Sequence, residues 1–262
     1  MVSGFDIAAT LYDGNFTFTP IGRLQRKRVY KYLDPYLNTT KTMNILELNC
    51  GTGEDAIYMA ENGHHVLATD LSADMLLQAK KKAPENANIQ FRQLDIKALH
   101  QHDLSGKPDL VVSNFGGLNC ISPDQFEAFF SSASDKLAKT GRIVAVIMSK
   151  KCLWERLYFF LKGKSGNAFR RSSRKPLDVP VNGKMVPTWY YDPLEITRIA
   201  EPFFTKVLIK PVGFLIPPSY LNSYFRNKKS LLKILAWLEN SIFSMSFLSA
   251  YSDHYIIILQ KK

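Results

Sequence analysis

The sequence predicts an α/β protein whose largely parallel sheet carries helices on both faces. Three observations carry this. Short apolar runs recur from residue 44 to the end of the chain. Helical patterns lie between the early runs. Cap and stop residues stand at the joints where such an alternation needs them.

In chain order, residues 1–43 precede the first strand and read as an amphipathic helix plus loop. The first strand is 44–49, followed by a helix over 54–62 that stops at Gly63. The second strand is 65–70. Ser72 is the N-cap of a helix over 73–83, and Pro84 stands just past its end. Strands follow at 89–93 and 109–114. Ser122 as cap, Pro123 at the first helical position and Gly141 beyond the end delimit a helix over 123–139. The fifth, sixth and seventh strands are 142–149, 205–212 and 254–260. Two stretches break the rhythm. Residues 150–191 are rich in Arg, Lys, Ser and Gly, with 163–175 reading as a mobile loop. Residues 213–252 hold a Pro217-Pro218 turn and a helix-like stretch from about 228 to 247. Long structured insertions usually carry function, so both are expected to form an acceptor pocket or lid on a single domain spanning 1–262.

Length and composition agree with a globular enzyme-sized chain: 262 residues, 46% hydrophobic. Cys50, Cys120 and Cys152 have neither a CxxC nor a metal-ligand spacing, and read as reduced thiols of a cytosolic protein with no metal site. The N-terminus lacks the basic start and apolar run of a signal peptide. The most apolar late stretch is interrupted by Lys233, Glu239 and Asn240, which argues against a membrane span. The net charge of +11 is compatible with nucleic acid or an anionic membrane surface. Basic clusters occur at 23–28, 80–82 and 170–175, but no RNA-binding or helix-turn-helix pattern accompanies them. They are therefore read as solvated faces, with no nucleic-acid partner expected and the oligomeric state open. Lys228, Lys229 and Lys233 beside a helically spaced apolar series leave peripheral membrane contact open.

The chemistry starts at Gly51-Thr52-Gly53-Glu54-Asp55-Ala56, which fits G-x-G-x-x-G/A between a strand and a helix. Glycines permit a tight turn and close backbone approach, and the helix N-terminus offers free N–H groups to a ligand. Asp70 ends the next strand, where an acid accepts from both hydroxyls of a ribose; the alternative is a cap on the helix beginning near Ser72. Asp95, just past the third strand, can accept from the exocyclic amine of adenine. Some forty residues precede the turn, more than a dinucleotide site usually has. The pattern suggests an adenosine with a short charged tail.

These residues resemble the motifs of class I S-adenosylmethionine-dependent methyltransferases. Glu47-Leu-Asn-Cys-Gly-Thr-Gly53 is similar to their first motif, with Asn49 where glycine is commonest. Leu71-Ser-Ala-Asp-Met75, Gln93-Leu-Asp95-Ile96, Asp109-Leu-Val-Val-Ser-Asn114-Phe-Gly and Leu137-Ala-Lys-Thr-Gly-Arg-Ile143 resemble the motifs that follow, in order, through residues 5–150. The opening, residues 5–30, looks like the N-terminal cover of the ubiquinone/menaquinone-biosynthesis-type subgroup. The resemblance implies a Rossmann-like, seven-stranded sheet of order 3-2-1-4-5-7-6 with strand seven antiparallel. It implies S-adenosyl-L-methionine as cofactor, held by Glu47, Asn49, Cys50, Gly51, Gly53, Asp70, Leu71, Met75, Asp95, Ile96, Asn114 and Phe115. Tyr12, Phe16 and Thr19 would cover it, and Arg26 would pair with its methionine carboxylate.

Methyl transfer asks the protein mainly to orient and desolvate an acceptor, with a base where an oxygen must lose its proton. Asn114-Phe115 lacks the N-P-P-Y or D-P-P-Y run of base-amino methylating enzymes. His254, with Asp253 to orient it, would face the site mouth as a base if strand seven is antiparallel; the alternative is a structural cap on the strand. Within Trp189-Tyr190-Tyr191, Tyr191 is the second candidate catalytic residue, although aromatics in a connector also serve as core. His64, His65, His100 and His102 read as structural or solvated. The expected function is O- or C-methylation of a small lipophilic or aromatic metabolite. Methylation of RNA or protein, and non-catalytic binding of an adenosine ligand, are the alternatives.

Overall fold

The structure is a computed structural model that describes residues 4–104, 106–181, 183–242 and 244–262. Its strands are β1 (Asn44–Leu48), β2 (His65–Asp70), β3 (Ile89–Gln93), β4 (Leu110–Ser113), β5 (Arg142–Met148), β6 (Leu177–Val181), β7 (Lys184–Thr188), β8 (Phe204–Val212) and β9 (His254–Lys261). Seven form one sheet of order β3-β2-β1-β4-β5-β9-β8, with β9 antiparallel to both neighbours. This is the expected order, with the β6–β7 hairpin set apart.

The strand sequences dictate two buried faces. In β1, Leu46 and Leu48 point into one core layer and Ile45 into the other, the period-2 alternation of a strand. β9 runs Ile256-Ile257-Ile258 without a polar break and is buried on both sides, as a central strand between helical layers must be. Each such side chain contributes roughly 1.5–3 kcal/mol on burial.

The helices are α1 (Gly4–Tyr12), α2 (Pro20–Leu37), α3 (Glu54–Glu61), α4 (Ala73–Lys82), α5 (Pro123–Lys136), α6 (Leu153–Leu161), α7 (Pro193–Ala200), α8 (Asn222–Phe225) and α9 (Lys229–Ser241). Their starts follow the side-chain chemistry. The Ser72 hydroxyl accepts from Met75 N–H at 3.1 Å. Ser122 and Gln125 close a reciprocal capping box over 2.9 and 3.3 Å. α5 ends three residues before the expected 139, because Leu137 has an extended ψ of 148°.

Three expectations are corrected. The N-terminal segment is two helices joined by a π-turn, Asp13–Thr17, not a helix and a loop; its residues 1–3 lie outside the described residues. Segment 163–175 is not a mobile loop: Ser165–Ser172 forms a 3₁₀ helix whose Ala168 and Arg171 are buried. The 150–191 insertion also contains the unforeseen β6–β7 hairpin.

Within the 213–252 insertion, one side chain ties α9 to the segment that leaves β8. Glu239, wholly buried on α9, accepts from the backbone N–H groups of Gly213, Phe214, Leu215 and Ile216 at 2.7–3.2 Å. Four donors to one carboxylate satisfy a buried charge that would otherwise be costly. Among the described residues no helix is long and apolar enough to cross a membrane.

Candidate active site

A cleft of about 560 Å³ lies over the carboxyl ends of β1, β2, β4 and β5, the ligand position of open α/β sheets. The turn after β1 forms one wall. Asn49 there has φ +57° and Gly51 φ +53°. The left-handed conformation explains why asparagine stands in a place glycine usually fills, since it tolerates that region better than most side chains. A Cβ on Gly51 would meet little besides the Tyr12 ring, 3.9 Å away, so the backbone faces open space.

Asp70 closes this end. Its Oδ2 accepts from Gly51 N–H and its Oδ1 from Ser72 N–H, each at 2.9 Å. The side-chain cap of α4 is Ser72. Each carboxylate oxygen retains acceptor capacity, and Asp70 lines the cleft. Burial pushes its carboxyl up, against the lowering effect of those N–H groups. Asp95, Ile96, Leu71 and Met75 continue the wall, and Asp95 Oδ1 accepts from Lys97 N–H at 2.9 Å.

The N-terminal helices cover this end. α1 packs Ala8 and Ala9 on Met75 of α4, with Phe5, Tyr12 and Val181 around them. Asp6 accepts from the Ser72 hydroxyl at 2.5 Å, and Asp13 accepts from Thr52 at 2.6 Å and pairs with Lys82 at 2.9 Å. Tyr12 and Phe16 line the cleft beside Phe115 and Asn114. Burial drives the Tyr12 phenol up to about 12, so it stands as a neutral donor.

The other end is built by the insertions and the start of β9. The antiparallel register sets His254 against Met148 of β5 and Val212 of β8, at the cleft. His254 Nδ1 lies 3.1 Å from Asp253 Oδ2, an ion-pair distance without a linear hydrogen bond. Asp253 Oδ1 accepts from Arg171 Nη2 at 3.0 Å, and Arg171 Nε donates to Glu155 at 2.9 Å. Arg170 also pairs with Glu155. Burial would raise the Asp253 carboxyl, but His254 and Arg171 outweigh it and hold it well below the usual range. Tyr190, Tyr220, Val179, Val181 and Ile121 supply the apolar wall.

Six sequence candidates do not line the cleft. Tyr191 is 1% exposed in the core against Phe126, its hydroxyl donating to Ile121 O; its neighbour Tyr190 faces the cleft instead. Thr19 caps α2, accepting from Gly22 N–H at 3.0 Å and from Asn222 at 2.9 Å. Arg26 is engaged by Asp55 at 2.5 Å behind Phe115, so a protein carboxylate already occupies the partner position expected for methionine. Glu47 is buried beneath the turn, its carboxyl pushed up by burial and then by Asp55. The Cys50 side chain packs into the core. Gly53 packs against α4: a Cβ there would lie 2.9 Å from Ala79 Cβ. Tyr220 and Arg171, which the insertions were expected to bring to an acceptor pocket, do line the cleft, whereas sequence reasoning missed Glu155 and the hairpin wall. Glu155 and Arg171 meet across a turn with no local sequence signature.

Comparison with known proteins supports the same reading. Residues 45–141 match the family model described as a methyltransferase domain. The tRNA 5-carboxymethoxyuridine methyltransferase of Escherichia coli is 35% identical over 113 residues, 41% of this chain and 43% of that protein. The demethylmenaquinone methyltransferase of Clavibacter sepedonicus is 30% identical over 125 residues, 45% and 47% of the two. This chain thus spans less than half the length of these curated relatives. The solved magnesium protoporphyrin IX methyltransferase from Synechocystis PCC 6803, with bound SAH, shares the fold at TM-score 0.59 and 15% identity, over 93% of this chain and 86% of that one. Residues 45–141 thus resemble a methyltransferase domain and the chain has a Rossmann-like fold; S-adenosyl-L-methionine is the cofactor that the class I enzymes of this fold use. The residues present fit it: an open backbone turn at Gly51, two carboxylates, Asp70 and Asp95, on the cleft wall, and an aromatic cover from Tyr12 and Phe16.

Proposed function

We propose that this chain transfers a methyl group from S-adenosyl-L-methionine to a small, apolar or aromatic metabolite, at oxygen or carbon. The bound cofactor supplies the electrophilic methyl. Gly51, Asp70, Leu71, Met75, Asp95 and Ile96 hold its adenosine part, with Tyr12, Phe16, Asn49, Asn114 and Phe115 around the rest. His254 takes a proton from the acceptor, and Asp253 orients the ring and stabilises its charged form.

One observation supports the acceptor class above the others. The cations at the acceptor end, Arg170 and Arg171, are both paired with Glu155, and Arg171 also with Asp253. Both are engaged by protein carboxylates, and apart from Lys97, Thr188 and Ser219 the wall at this end is mostly aromatic and aliphatic. One relative acts on tRNA by its name, which keeps RNA as the reading to test against. An acceptor of the proposed class is methylated at a rate that survives moderate salt. An RNA enzyme that neutralises many phosphates loses affinity log-linearly with salt. Initial rates on organic-phase and RNA fractions of a cell extract, at rising salt, separate the two.

A further inference from the structure

The two insertions carry a second feature that the methyl-transfer reading leaves unused. α9 has two apolar faces. Leu232 and Leu235 pack inward with Phe225 and Ile216. Leu231, Ile234, Trp237 and Leu238 share the opposite face and are 38–67% exposed. α6 repeats the pattern: Trp154 joins the same cluster as Phe225, while Leu153, Leu157, Phe160 and Leu161 stand exposed at helical spacing. A solvated helix puts polar residues on its outer face, so these outer stripes are what water does not explain.

Charge points to what covers them. Residues 150–175 and 219–250 hold thirteen of the 34 basic residues and two of the 23 acids, which is the chain's entire +11 excess. The remainder of the chain is balanced. Both acids, Glu155 and Glu239, are buried and bonded internally. Exposed lysines flank the stripes, Lys229 and Lys233 on α9 and Lys162 and Lys164 past α6. Lys228 lies over the Tyr224 ring at 3.2 Å.

We propose that the outer faces of α6 and α9 form a docking surface for an anionic lipid bilayer. The apolar stripes enter the headgroup boundary and the lysines meet the lipid charge, the two attractions that hold an amphipathic helix in an interface. Tyr220, Glu155 and Arg170 belong to the same insertions and line the cleft, so docking sets the acceptor end beside the membrane. The surface does not depend on the identity of the acceptor.

Vesicles of phosphatidylcholine, with and without phosphatidylserine, test this on the full chain. Wild type co-sediments with the anionic vesicles and not with the neutral ones, and high salt weakens the binding. Trp237 fluorescence shifts to the blue on binding, and Trp237→Phe abolishes that shift. Ile234→Ser with Leu231→Ser, or Lys229→Ala with Lys233→Ala, lowers partition at least about tenfold. Their melting temperature and S-adenosylhomocysteine affinity, unchanged, show that the fold and the cofactor site are intact. Three results overturn the proposal: no binding to anionic vesicles, equal binding by the folded variants, or a concentration-dependent dimer of the wild type that the same substitutions dissociate.

Discussion

His254 Nδ1 stands 3.1 Å from Asp253 Oδ2 at the start of β9, and both residues line the cleft. The same carboxylate is braced on its other oxygen by Arg171. A carboxylate so placed favours the charged form of the imidazole beside it.

His254→Ala is therefore expected to lower kcat by about 10²–10⁴-fold, the usual span for a positioned base. S-adenosylhomocysteine affinity stays within a small factor, because the adenosine end is built from other residues. Steady-state kinetics with calorimetry on the same preparation reads both. Wild-type turnover in the mutant would assign His254 to a structural cap.

Asp253 gives a pH signature. Its folded carboxyl lies below the ordinary value of 3.8, so its contribution to stability is complete above that value and is lost as pH falls through the folded one. Asp253→Asn leaves Arg171 without one of its partners and costs about 3–5 kcal/mol near neutrality. The gap in melting temperature between wild type and mutant stays full down to about pH 5 and closes as pH falls below 3.8. A gap unaltered at the lowest pH contradicts the pairing.

Asp70→Ala removes the acceptor for a ribose and unties Gly51 from Ser72. Hydrogen bonds to a charged group contribute about 1.5–3 kcal/mol each, so the cofactor weakens at least tenfold. Calorimetry with S-adenosylmethionine measures it, and an unchanged dissociation constant in a folded mutant leaves Asp70 as backbone support alone.

Gly53→Ala and Tyr191→Phe act on stability. The first drives a Cβ to 2.9 Å from Ala79 at φ +77°, a clash and a strained conformation costing roughly 1–3 kcal/mol. The second leaves Ile121 O without its buried donor, roughly 1–3 kcal/mol. Urea midpoints fall in both, while kcat of the folded fraction of Tyr191→Phe holds. A kcat loss without a stability loss would return Tyr191 to the reaction.

The main sheet was legible because its strands are apolar and their joints carry explicit signals: Ser72, Gly63, and Ser122 with Pro123. The β6–β7 hairpin was not. Pro180 and Pro187 argue against a strand, and the one positive sign was the Asn182-Gly183 pair between Val181 and Lys184. In the site, Asp70 and Asp95 were readable from their places after strands. Tyr190 and Tyr191 are adjacent in the chain and point oppositely, so sequence alone had no means to choose between them. The Glu155–Arg171–Asp253 chain joins residues from α6, the Ser165–Ser172 helix and the start of β9, which only the folding of the insertion onto the sheet edge brings together.

The central claim, methyl transfer to a small apolar acceptor, is tested most directly by incubating the protein with a cell extract and methyl-labelled S-adenosylmethionine, then following the label by mass spectrometry. The account predicts label in an organic-phase metabolite, lost in His254→Ala. Label confined to RNA or protein, or no transfer to any fraction while the cofactor binds, would contradict it.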